Sequence, residues 1–195
     1  MKGLHPKSPN SYPQHRPYDS PPAKRRQRAV PDVVSKYYIP LPVLEATNRA
    51  MRRFGVENRE CYVWWGGYFN SHKEGQVLTA LCPEISSDYG HIRLGSAELG
   101  ALHSRLRSLD QVLLAELHTH PPGAGGQNEV DAAYPAVTYP GFISIVVPDF
   151  ASPRFYDLRN AYVYEYIGTN QWHQLEIAEI ENRFVIEESF LSVKV

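Results

Sequence analysis

Long hydrophobic runs are missing from this chain of 195 residues. No apolar stretch approaches the ~20 residues of a membrane-spanning helix, so a helical membrane protein is not expected. Cysteine is scarce as well. Cys61 and Cys82 are the two in the chain, too few for a disulfide framework. Both lie in apolar, strand-like runs, where small buried side chains are expected ahead of a bridge or a ligand. The opening Met1-Lys2-Gly3-Leu4-His5-Pro6 lacks the apolar core of a secretory signal, so the expected compartment is reducing cytosol. A phosphate loop is absent too. The run Gly123-Ala124-Gly125-Gly126 is not followed by Lys-Ser/Thr, and flexibility is the property it suggests. No internal repeat is present.

Net charge is also small, at -1, but it is unevenly spread. Residues 1–36 carry eight Lys/Arg against two Asp/Glu, and residues 37–195 carry twelve against nineteen. Residues 1–35 hold seven prolines with Ser, Asn, Gln and Tyr between them and no apolar periodicity. This composition predicts a disordered or polyproline-like arm ahead of one globular domain at 36–195. Lys24-Arg25-Arg26-Gln27-Arg28 is expected to be a solvated charge run, with a docking or nucleic-acid contact as the alternative. Nothing in the charge balance demands nucleic acid as a partner.

The globular part reads as a mixed α/β domain of the α+β type, with helices flanking a curved sheet. Leu41 to Phe54 has helical spacing, with Pro40 and Pro42 at its start and Gly55 as a stop. Glu60 to Phe69 is a strand, and Gly66-Gly67 inside it predicts a bulge. Gln76 to Cys82 is its hairpin partner, and Pro83 to Leu94 reads as a polar loop. Ser96 is expected to cap a second helix, with Glu98 in its first turn. Trp64 and Trp65 are expected in the core. Gly141 to Pro148, Ala161 to Ile167, Trp172 to Ile180 and Phe184 to Val195 read as further strands.

One stretch carries chemistry. Val112-Leu113-Leu114-Ala115 reads as a buried strand that ends in Glu116-Leu117-His118-Thr119-His120-Pro121. Residues two apart on a strand share a face, so His118 and His120 project together. Asn128 to Ala133 reads as a short helix with a capping residue, and Asp131 sits in its first turn. Two imidazoles and a carboxylate make a three-ligand zinc site, and an open fourth position marks a catalytic zinc. His72, His91, His103 and His173 lack such company and are expected on the surface or in loops. Asp149 reads as a turn residue.

Glu60, then His118-Thr119-His120-Pro121, then Asn128 and Asp131 resemble the signature of the JAMM (JAB/MPN-type) zinc metalloproteases. That signature is an upstream Glu, His-Ser/Thr-His, seven residues, Ser, two residues and Asp. The resemblance spans about residues 40–170. It implies an MPN/JAB fold of cytidine-deaminase-like type, with one catalytic zinc on His118, His120 and Asp131. It also implies that Glu60 is the general base. The position of the family's oxyanion-stabilising serine is Asn128, whose side-chain amide can also donate. Glu116 shares the strand face of the histidines and stays open as the alternative base, or as a group that holds a ligand histidine.

The resemblance implies a zinc-dependent isopeptidase or peptidase acting on a ubiquitin-like protein and its conjugates. Gly141–Phe150 and Ala161–Trp172 are similar to bacterial JAB-domain proteins, which work beside E1- and E2-like proteins, including antiphage conjugation systems. Two alternatives stay open. One is a JAB-type hydrolase of sulfur-carrier proteins. The other is a non-catalytic MPN scaffold, a class that usually lacks the ligands kept here.

Overall fold

A computed structural model describes residues 34–153 and 155–188. The expected arm, apart from its last two residues, lies outside that range, as does the expected last strand beyond Glu188.

The chain enters through β1 (Tyr37–Pro40) and turns directly into α1 (Leu41–Gly55). Pro40 is the N-cap and Pro42 falls in the first turn, where a missing N–H leaves no intrahelical bond unmade. β2 (Tyr62–Phe69) and β3 (Gly75–Leu81) form the expected antiparallel hairpin. The register slips at Gly66/Gly67. A β-carbon at Gly67 would run into the Gln76 carbonyl, so glycine is required where the bulge brings the backbones together. The expected loop that follows carries a small hairpin of its own, β4 (Ser86–Ser87) with β5 (Ile92–Arg93).

α2 (Ser96–Ser108) comes next. Its cap is Gly95, and no side chain caps it, contrary to the expectation for Ser96. β6 (Val112–Thr119), α3 (Glu129–Ala133), β7 (Ile143–Val147) and β8 (Tyr162–Gly168) follow. The segment expected as one strand from Trp172 to Ile180 divides in two. β9 (Gln171–Gln174) gives way to α4 (Ile177–Arg183), which starts on a capping box between Glu176 and Glu179. The Glu179 carboxylate accepts from the Glu176 N–H at 2.8 Å, which satisfies a donor at the helix start and favours the end of the extended chain there. β10 (Phe184–Glu187) ends the described chain.

Eight of these strands form one sheet in the order β10-β1-β3-β2-β6-β7-β8-β9. β6 lies inside it, antiparallel to β2 and parallel to β7. A strand paired on both sides is apolar along the stretch that is covered on both faces. That accounts for the run Val112–Ala115, of which Leu113, Leu114 and Ala115 are buried. The covering helices sit on opposite faces. Trp65 donates its indole N–H to the Thr47 hydroxyl of α1 at 2.8 Å. Its neighbour Trp64 faces the other way and meets the His103 ring of α2 edge-on, 4.7 Å between centroids. Both tryptophans are core, as expected. His103 is half-buried against Trp64 rather than a surface residue.

The sheet curls. Tyr37 of β1 donates its hydroxyl to the Gly141 carbonyl at 2.9 Å, although β3, β2 and β6 lie between them in the sheet. Arg183 of α4 completes the curl. It grips Glu165 of β8 at 2.8 and 2.9 Å and also donates to the Val34 carbonyl. A bidentate guanidinium–carboxylate pair fixes orientation as well as distance. No described helix is long and apolar enough to cross a membrane.

Candidate metal centre

Ligand sites in open sheets gather at the carboxyl ends of parallel strands. β6 and β7 are such a pair, and the starts of β2 and the ends of β3 come to the same edge. His118 and His120 stand at the end of β6, both buried. The strand backbone holds this end firmly. The Thr119 N–H donates to the Cys61 carbonyl at 3.0 Å, and the Cys61 N–H donates to the Thr119 hydroxyl at 2.9 Å. The His120 N–H donates to the Val147 carbonyl at 3.0 Å, and its own carbonyl accepts from Phe150 at 2.9 Å.

Asp131 arrives on α3. Asn128 caps that helix, accepting from the Val130 and Asp131 N–H groups at 2.8 and 3.0 Å. In return Asp131 Oδ2 accepts from the Asn128 N–H at 2.9 Å. The capping box thus also aims the carboxylate, because Oδ2 is the oxygen that faces the histidines. It lies 3.4 Å from His118 Nε2 and 3.3 Å from His120 Nε2, and the two Nε2 atoms are 3.2 Å apart.

These three separations test the fit of an ion. Donors bonded at about 2.0–2.1 Å in tetrahedral directions stand roughly 3.3 Å from one another. The donor triangle has that size. His120 Nδ1 lies 3.2 Å from the Gly125 carbonyl. A proton donated there leaves the Nε2 lone pair turned inward, as a metal ligand requires. The electrostatics agree. Burial alone would raise the Asp131 carboxyl, but both imidazoles and the Asn128 N–H outweigh it and hold the group well below the usual range. Burial opposes charge on His120, yet Asp131, Glu60 and the Gly125 carbonyl outweigh it and raise its proton affinity. His120 and Asp131 thus favour each other's charged forms.

The antiparallel register pairs Tyr62 with His118, and the Cys61–Thr119 bonds continue it. Glu60 therefore stands level with His120, on the same face. It is buried, and its N–H is anchored on the Asp88 carbonyl at 3.0 Å. Burial raises its carboxyl above the ordinary value, partly opposed by His120 and His118 and reinforced by Asp131. Glu116 shares the face, but its Oε2 accepts from the Tyr62 hydroxyl at 2.7 Å and the Ala136 N–H at 3.0 Å. It bonds to neither His118 nor His120. Its bonds fasten the chain beyond α3 to the sheet.

The glycine-rich run is more constrained than its composition suggests. Gly123 and Gly125 have φ of +80° and +77°, a left-handed conformation natural to glycine. A β-carbon at Gly126 would collide with the Tyr164 hydroxyl and touch the Tyr162 ring. The same hydroxyl accepts from the Gln127 N–H at 3.0 Å. Tyr164 thus joins the structures that support the site. The alternating tyrosines of β8 were the signal for it, though spacing alone does not say what they touch.

Comparison with known proteins agrees with this chemistry. No family model matches the chain. Over 151 residues it is 30% identical to a Sinorhizobium fredii protein named "Probable metalloprotease y4jG", a match that covers 76% of this chain and 92% of that one. In fold it is similar to the solution structure of protein DSY2949 from Desulfitobacterium hafniense. That match has a TM-score of 0.58 at 13% identity, and covers 78% of this chain and 94% of that one. The cluster of two buried histidines and a half-buried aspartate, together with near-complete coverage of the Sinorhizobium protein, leads to one conclusion: the chain belongs to that protein's family of metalloproteases.

Proposed function

We propose that the chain is a JAMM-type zinc peptidase that cleaves a ubiquitin-like protein from its conjugates or precursors. One observation carries the reading. Three donors of the right kinds converge at 3.2–3.4 Å, beside a buried glutamate level with His120. In this reading residues 36–195 are an MPN/JAB domain and residues 1–35 its basic arm.

His118, His120 and Asp131 would hold the zinc. When bound, zinc polarises the scissile carbonyl and makes water acidic enough to be deprotonated near neutral pH. The chain's own groups do the rest. Neither histidine can act as base while its Nε2 is a ligand. The Glu60 carboxylate takes a proton from the attacking water and passes it to the leaving nitrogen. Burial supports this role by raising its proton affinity. Glu116 is committed to Tyr62 and Ala136, which favours Glu60 over it. Asn128 Oδ1 is used in capping α3. Its Nδ2 is the donor end, suited to the oxygen that gains charge as the carbonyl is attacked.

The ubiquitin-like substrate follows from the resemblance of Glu60, His118-Thr119-His120-Pro121 and Asp131 to the JAMM signature. The bacterial JAB-like runs Gly141–Phe150 and Ala161–Trp172 extend it to work beside E1- and E2-like proteins in a conjugation pathway such as antiphage defence. The test is to incubate zinc-loaded full chain with a panel of ubiquitin-like proteins fused to a reporter and to locate the cut by mass spectrometry. Cleavage after the modifier's C-terminal residue is the expected result. Cleavage of unstructured peptides with no fusion cut would overturn the substrate class.

A further inference from the structure

The chain's two cysteines lie outside the metal centre but at the same edge of the sheet. Cys61 immediately precedes β2 and Cys82 immediately follows β3. Their Sγ atoms are 3.8 Å apart. We propose that Cys61 and Cys82 form an oxidisable dithiol that a hydroperoxide converts into an intramolecular disulfide.

The geometry assigns the two sulfurs different parts. Cys82 is exposed and Cys61 is buried, so a hydroperoxide in solution reaches Cys82 first. Cys61 then waits within contact distance. A disulfide needs its sulfurs at about 2.0 Å, so they must approach by a little under 2 Å, and the local backbone permits it. The β2–β3 ladder ends at Trp64 and Leu81, so neither cysteine is held in it. Cys82 is followed by Pro83, which has no N–H to donate. Cys61 is fixed to β6 by its bonds with Thr119, so the movement falls on Cys82. The thiols differ electrically in the same sense. The hydrogen bond between them lowers the Cys82 thiol, with help from Arg53, while that bond and burial raise Cys61. The reactive species is the thiolate, so the exposed sulfur is also the nucleophile.

The chemistry balances in two steps. The Cys82 thiolate attacks the O–O bond, forms a sulfenic acid and releases an alcohol, or water from hydrogen peroxide. The Cys61 sulfur displaces the sulfenic hydroxyl as water and the S–S bond forms. Two thiols are oxidised and one hydroperoxide is reduced. A thiol reductant reverses the change.

The experiment treats the metal-loaded full chain with hydrogen peroxide, alkylates the remaining thiols and analyses the intact protein and its peptides without reduction. The expected result is loss of both alkylatable thiols, a mass lower by about 2 Da, and a peptide linked through Cys61 and Cys82, all reversed by dithiothreitol. Cys82→Ser, a substitution at an exposed position, keeps its Cys61 thiol reduced under the same dose. Cys61→Ala leaves a Cys82 sulfenic acid that dimedone traps. The proposal is overturned if both thiols of the wild type stay alkylatable after peroxide. It is equally overturned if the product is a dimer linked between chains, or if Cys61 is oxidised as readily in Cys82→Ser as in the wild type.

Discussion

The donors of the proposed metal centre come from two unlike places. His118 and His120 stand on a strand paired on both sides, and backbone bonds to Cys61, Val147 and Phe150 surround them. Asp131 stands on a five-residue helix with no buried residue of its own. That helix is placed from outside. Asn128 caps it, Trp172 of β9 donates to the Ala132 carbonyl at 3.1 Å, and Glu116 holds the N–H of Ala136 beyond it. Burial fixes the first pair, and a few hydrogen bonds fix the third donor. The sheet thus provides a rigid half of the site, and the segment 121–136 provides an adjustable half.

That contrast can be broken at its ligands, where the largest effect is expected. His118→Ala removes half of the rigid pair and should abolish both metal binding and hydrolysis. Asp131→Ala should abolish hydrolysis but keep weak binding on the two histidines, measurable by competition with a chromophoric chelator. Equal retention in the two variants would show that the halves do not differ as described.

Glu60→Gln tests the rigid half without touching a ligand. Turnover should fall by about 10²–10⁴, with metal content unchanged. The pH profile gives a second readout. Only the carboxylate can accept a proton, and burial raises Glu60 above its ordinary value. Wild-type turnover should therefore decline as pH falls through a point above the normal glutamate range, and the glutamine variant should lack that limb.

Asn128→Asp sharpens the comparison on the adjustable side. Aspartate keeps the capping oxygen but loses the donor amide, so turnover should drop by about 10²–10³ while Asn128→Ser retains more. If aspartate and serine behave alike, Asn128 serves only as a cap. Smaller still is Gly126→Ala. Its methyl group must displace the Tyr164 hydroxyl and shift the loop that holds Gly125 against His120. Metal affinity should weaken about 10–100-fold, as for other groups that orient a ligand. Adding Tyr164→Phe should recover part of the loss by making room, and strictly additive effects would argue against that contact.

The two halves also differed in how far their sequence could be read. The apolar run of β6 announces a buried strand, and a period of two puts both histidines on one face. The capping pattern of Asn128 and Asp131 announces α3. The supports are tertiary. No spacing reveals that the Gly125 carbonyl meets His120, or that Tyr164 closes on Gly126. Glu116 shares the histidine face, as its spacing predicts, but its partners come from Tyr62 and a distant loop. At the C-terminal end the apolar residues Trp172, Leu175, Ile177 and Ile180 suit a strand. The capping box of Glu176 and Glu179 overrides them and starts a helix. β1 carries no clear strand signal, because it is four residues long and ends on Pro40. Cys82 was expected inside, but β3 ends one residue before it and leaves it exposed.

Metal stoichiometry tests the zinc site most sharply. Purified full chain is stripped with chelator and titrated with zinc, and bound metal is counted alongside hydrolysis. About one zinc per chain is expected, as a three-ligand catalytic site takes, with activity restored in step and neither in His118→Ala. A chain that hydrolyses fully when stripped, or that binds zinc equally well in His118→Ala, would contradict it.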